Sequence, residues 1–288
     1  MVYTFGVYIS GFNNRMPRVW YSYYKQNIPV VDIECKLCPW IFRELALLSP
    51  FGPHNPGRAD APALSEARRQ FGGDVKIIDL KTWSRKSHFE FFTGMDYPHF
   101  NVCFELDVTA VQSFAKEHGI KVFSVILYLS SHAANCIPEM KTRIRGDQVV
   151  EHESVHPAFT IMGKDNVFNY CRARFDGDGP RFFREVEVNT DKARQADSLD
   201  LGDPYRDDWL YITSLPWITF SSIQHPIHVS RNDSIPRLSW GRISQNSDTR
   251  TMPYSFQAHH GLVDGYHAGL FAQILQETFS RPESSISL

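Results

Sequence analysis

The segment Tyr254-Ser-Phe-Gln-Ala-His259-His260-Gly-Leu-Val-Asp264-Gly265 joins two periodicities and decides how the chain folds. Before Gly261 the side chains alternate, so Tyr254, Phe256, Ala258 and His260 share one face of a strand, and Ser255, Gln257 and His259 share the other. After Asp264, Leu270, Phe271, Ile274, Leu275 and Thr278 recur at helical spacing, which predicts a helix from about Tyr266 to Phe279. A strand, a glycine turn and an amphipathic helix in this order bring an imidazole to a strand end, where loops form clefts. An imidazole there suits a general base, because its ordinary pKa of about 6.5 leaves it neutral yet basic near pH 7. Asp264 falls at the helix start, where a carboxylate accepts backbone N–H bonds. Taken alone, the same residues also describe a satisfied core histidine and a helix cap.

Outward from this segment, strands and helices alternate back to Val75. Helices are expected over Thr82–Phe92, Thr109–His118, Val122–Ile137 and Gly179–Ala196. Strands are expected over Phe100–Leu106, Ala158–Met162, Ser239–Ile243 and Thr251–His260. Arg143–Val150 reads as a hairpin turning at Gly146-Asp147, and Tyr211–Ser214 and Trp217–Ile223 are β-rich segments split by Pro216. The fold expected is an α/β (α+β) two-layer sandwich, a mixed, largely antiparallel sheet covered by the helices near 109–118, 122–137 and 266–279.

Residues 1–74 have another texture, with Pro and Gly clustered over Leu48–Gly57 and no sustained periodicity. They read as a poorly ordered N-terminal extension or as sequence ahead of a true start near Val75. No Met lies between Met16 and Met95, so the second option requires a non-Met start codon. The organisation expected is an extension over 1–74 and one catalytic domain over 75–288.

Composition narrows the function. The 288 residues are 42% hydrophobic, enough for a substantial core, and a formal net charge of -2 gives no reason to expect nucleic acid as partner. No apolar run approaches the roughly 18 residues that cross a bilayer, so no membrane partner is expected. The five cysteines are odd in number and scattered, which suits a reducing cytoplasm. Cys35-Lys-Leu-Cys38 has no second ligand pair at metal spacing, so no metal is expected.

The run His259-His260-x-x-x-Asp264-Gly265 resembles the signature of the coenzyme-A-dependent acyltransferase superfamily. Within it, Ile78–Phe91, Ser154-Val-His-Pro157 and Ser214-Leu-Pro-Trp217-Ile-Thr-Phe220 resemble the chloramphenicol acetyltransferase family, in that family's order, over roughly Val75–Phe279. The resemblance implies direct acetyl transfer from acetyl-CoA, a co-substrate rather than a bound cofactor, to the hydroxyl of a small acceptor, with His260 as base. It implies that a ring nitrogen of this histidine bonds its own carbonyl, and that Asp264 pairs with Arg85 to brace the loop. Thr213 stands where the family has its oxyanion-binding serine, with Ser214 as the neighbouring option. Phe92, Phe100, Phe168 and His225 fall at acceptor-pocket positions, although drug-acetylating members carry apolar groups at the positions of Ile223 and His225. Arg242 matches a residue approaching a coenzyme A phosphate. A homotrimer with its sites between subunits is also implied. Two alternatives stand beside chloramphenicol acetylation: a different hydroxylated acceptor, such as a natural product or sugar, or a non-catalytic binding homologue.

Overall fold

The computed structural model describes residues 75–203, 206–228 and 233–288. The expectation for residues 1–74, like the Cys35/Cys38 pair, lies outside them. The elements are β1 (Val75–Ile77), α1 (Lys86–Thr93), β2 (His99–Asp107), α2 (Thr109–Glu117), α3 (Val122–Asn135), β3 (Thr142–Arg145), β4 (Gln148–His152), β5 (His156–Met162) and β6 (Phe168–Arg172). Then follow α4 (Gly179–Gln195), β7 (Trp209–Ser214), β8 (Arg237–Trp240), β9 (Ser244–Asn246), β10 (Thr249–His259) and α5 (Gly265–Ser280).

The main sheet has the order β2-β10-β8-β7-β5-β6, with β9 paired to β10. The β5/β7 and β7/β8 pairs are parallel and the others antiparallel. A smaller sheet, β1-β4-β3, contains the expected hairpin, and Gly146 at its turn has φ 62°, a conformation that favours glycine. The mixed, largely antiparallel sheet with its helices is the sandwich that the sequence implies.

The two faces of the main sheet differ because the strand sequences alternate. On one face Tyr254 and Phe256 meet Phe271 of α5, while Phe159 and Trp240 meet Phe123 of α3, and this layer is the apolar core. The other face carries Ser255 and Gln257 of β10, Ser239 and Arg237 of β8, and Thr213 and Tyr211 of β7, related by the strand register.

Three expectations need correction. The helix expected from Thr82 begins at Lys86, because Asp79 first closes a turn: its carbonyl accepts the Thr82 and Trp83 amides, and its carboxylate accepts Lys81 N–H. Trp217–Ile223 is not a strand. Beyond Pro216 the chain leaves the sheet, since β8 already fills the edge of β7, and Trp217 and Ile218 stand 61% and 52% exposed. The strand expected over Ser239–Ile243 begins earlier and stops at Trp240, where the Gly241 amide bonds to Pro253 and the Arg242 amide to Ile218. Strands β6 and β9 were not anticipated from periodicity. No helix among the described residues is long and apolar enough to cross a membrane.

Candidate active site

The β10/β2 ladder closes with His259 opposite His99, so His260 is the first residue beyond the sheet. Its amide donates to the Pro98 carbonyl at 2.7 Å, and the Leu262 and Val263 amides turn back onto the His259 carbonyl before α5 begins. The His260 ring lies flat against Phe92, with centroids 3.9 Å apart and planes 5° apart, and tilts against Phe100 at 4.6 Å. Two residues expected in the acceptor pocket therefore hold the imidazole. The expected bond between a His260 ring nitrogen and its own carbonyl is not formed: Nδ1 is buried without a hydrogen-bond partner among the described residues. Aromatic stacking sets the ring plane instead.

His259 is a structural group. Its Nδ1 accepts the Gly261 amide at 3.1 Å, its ring meets His99 edge-on at 5.3 Å, and burial pushes its pKa down to about 4. Burial likewise lowers the pKa of His99.

Arg85, just before α1, reaches Asp264 with Nη1 2.6 Å from Oδ2. The pair forms as expected, but with one contact rather than a bidentate fork, because the other oxygen is engaged elsewhere. Oδ1 accepts the Tyr266 amide as a helix cap and lies 2.8 Å from His267 Nδ1. The same ring nitrogen is 3.2 Å from the Asp264 amide, so it either accepts that proton or donates to the carboxylate. Burial works to raise the Asp264 pKa, but the Arg85 bond and the charges of His267 and Arg85 outweigh it and hold the pKa near 2. The sequence reading missed His267, whose signal is its position three residues past the cap, within reach of the cap backbone.

The remaining site residues lie elsewhere in the chain. Thr213 pairs with Ser239, which pairs with Ser255, so Thr213 is two strands from β10 and on the face opposite to that of His260. Given the strand rise and strand spacing, Thr213 and His260 are on the order of 20 Å apart within one chain. Ser214, opposite Trp240, points to the helix-covered face. His225 crosses the polar face of the sheet, its amide donating to Gln257 Oε1 at 2.8 Å and its Nε2 lying 2.5 Å from Ser239 Oγ. Phe168 is 46% exposed on β6, at the sheet edge opposite β2, so within one chain it is not brought to His260. Arg242 is exposed just after β8. Among the described residues no group of three or more His, Cys, Asp or Glu side chains is arranged to hold a metal ion.

The chain that carries this strand-end imidazole and the Arg85–Asp264 tie is, by its likeness to known proteins, an acyltransferase. The chain belongs to the chloramphenicol acetyltransferase family, whose sequence model matches residues 74–276. It is 28% identical over 202 residues to chloramphenicol acetyltransferase 2 of Escherichia coli, covering 69% of this chain and 94% of that protein. It is 27% identical to the chloramphenicol acetyltransferase of Bacillus pumilus, covering 70% and 91%. A solved chloramphenicol acetyltransferase superposes with a TM-score of 0.64 at 27% identity, covering 72% of this chain and all of that one.

Proposed function

We propose that the chain acetylates a hydroxyl of a small acceptor, taking the acetyl group directly from acetyl-CoA with His260 as general base. The observation that carries this reading is the His260 imidazole, clamped between Phe92 and Phe100 at the end of β10 with its loop tied to Arg85 through Asp264. The base removes the acceptor hydroxyl proton as the oxygen attacks the thioester carbonyl. The tetrahedral oxyanion accepts a hydrogen bond from Thr213, the C–S bond breaks, and the proton held on His260 goes to the departing thiolate. Arg85 and Asp264 act on the loop and not on the reactants. Arg242, exposed beside β8, is the cation proposed for a coenzyme A phosphate.

Because Thr213 and His260 are far apart within one chain, this reading requires a second copy to supply the hydroxyl. We therefore assign a homotrimer whose sites lie between subunits, with Phe168 also reaching the acceptor from a neighbouring copy. The enzyme so read works in the cytoplasm, needs no resident cofactor, and has its catalytic domain over 75–288 with residues 1–74 as an extension.

The test is thiol release from acetyl-CoA, with chloramphenicol and other hydroxylated acceptors, by the full chain and by a chain beginning at Val75. Acceptor-dependent release by both, within a few-fold of each other and abolished by His260→Ala without loss of Tm, is the expected result. Release that survives His260→Ala would remove the base from the mechanism.

A further inference from the structure

The polar face of the main sheet carries side chains that the reaction does not use. Following the ladder from β6 to β2, Tyr170 stands opposite Thr160, Thr213 opposite Ser239, Ser239 opposite Ser255, and Ser255 opposite Cys103. The β5/β7 register, continued one step beyond Phe159 and Ile212, sets Thr160 beside Thr213 and makes the row continuous. The row thus runs across six strands with a hydroxyl or thiol at every position. Its β8 and β10 members are buried beneath the segment bearing His225, whereas Tyr170, Thr160 and Thr213 remain partly open.

The neighbouring row is also polar, and its cations are already neutralised. Arg237 is held by both Asp233 oxygens, at 3.0 and 2.8 Å, with both side chains under a tenth exposed. Arg172 is bonded to Asp200. Tyr211, 40% exposed, lies in this same row between Arg172 and Arg237, with the Arg237 guanidinium 5.6 Å from its ring centre. What the open part of this face offers around Thr213, among the described residues, is therefore a set of hydroxyl donors and acceptors beside arginines that are already paired. Such a surface matches a molecule that is itself dense in hydroxyls. An apolar ring laid on it would strip water from these groups without replacing the bonds, and the arginines of the neighbouring row are already engaged by carboxylates.

We propose that the open hydroxyls Tyr170, Thr160 and Thr213, edged by Tyr211, bind the acceptor, and that the acceptor is a neutral polyhydroxylated small molecule of the sugar or cyclitol class. This rests on the acetyltransferase reading above. Because His225 sits on Ser239 where an apolar group would leave the hydroxyl bare, the imidazole completes the polar wall.

The experiment measures thiol release by the full chain at saturating acetyl-CoA with chloramphenicol, gluconate, myo-inositol, and the methyl glycosides of glucose, galactose and mannose. At least one neutral polyol should show a kcat/KM ten or more times that of both chloramphenicol and gluconate. For that polyol, Thr160→Val and Tyr211→Phe, both at partly open positions where folding is tolerant, should each raise KM at least five-fold with kcat nearly kept. The inference is overturned if chloramphenicol exceeds every polyol. It is equally overturned if the two variants alter the mass reported by light scattering and leave KM alone, since the row would then be a contact between copies of the chain. Thiol release with none of the acceptors is a separate outcome, which removes the acetyltransferase reading and this inference with it.

Discussion

The His260 imidazole and the Thr213 hydroxyl are assigned to opposite ends of one event, the first to the attacking oxygen and the second to the oxygen that gains charge. They are separable by substitution. Thr213→Val keeps the β-branched shape and removes only the donor, so a bond made as charge develops should vanish with little change in apparent acetyl-CoA affinity. The maximal rate should fall about 100-fold or more, while Thr213→Ser stays active. Steady-state kinetics with Ser214→Ala as the comparison checks this, and loss of rate in Ser214→Ala with Thr213→Val unaffected would transfer the role to Ser214. His260 and Asp264 were legible because each follows from a local rule, alternation for the face of His260 and a helix start for Asp264, whereas Thr213 was singled out only by likeness to the family. The surroundings of His260 were not legible, since Phe92 and Phe100 come from α1 and β2 and stack on the ring only after the β2/β10 ladder forms. Residue spacing does not encode a contact made through two elements and a long separation.

At the level of elements, α5 and its preceding turn work as one unit with the segment before α1. Asp264 caps α5 through the Tyr266 amide and ties the same turn to Arg85, so one carboxylate sets both where the helix begins and where the loop bearing His260 lies. Asp264→Asn should lower stability by about 1–2 kcal/mol, toward the low end for a charged hydrogen bond because the carboxylate is 27% exposed. It should also lower the rate through the displaced loop. The carboxyl is held near pKa 2 in the folded chain against an ordinary 3.8, so its contribution is complete above about pH 4 and is lost as pH falls through 2. The Tm difference between wild type and Asp264→Asn should therefore be full at pH 5 and shrink steadily below pH 4. A difference that is constant down to pH 2.5 would mean that the charge is not what holds the turn. Elements with a strong period of their own, such as α3, α4 and β10, were readable in advance. Trp217–Ile223 was misread because its β-branched and aromatic residues satisfy the local preference for a strand, while the place beside β7 is taken by β8.

On the scale of the whole molecule, the separation of Thr213 from His260 turns an expectation drawn from likeness into one with a geometric reason. Alternation along the strands sends the two groups to opposite faces, and the order β10-β8-β7 sets them two strands apart. Local pattern singled out His260 and likeness to the family singled out Thr213, but their separation depends on strand order, which neither expresses. If three copies close a ring in which each site takes His260 from one subunit and Thr213 from the next, two inactive proteins can restore each other. A subunit carrying His260→Ala keeps Thr213, and one carrying Thr213→Val keeps His260. In any mixed ring of three, whichever variant is in the majority, one of the three junctions joins an intact His260 to an intact Thr213. Random mixing of equal amounts makes about three quarters of the rings mixed, so co-refolding the two variants should return about a quarter of wild-type thiol release. Light scattering on the same sample should report a trimer. Activity no greater than the sum of the two parents, in a sample shown by tagged subunits to contain mixed rings, would put both groups in one subunit's site and contradict the arrangement inferred from the sheet.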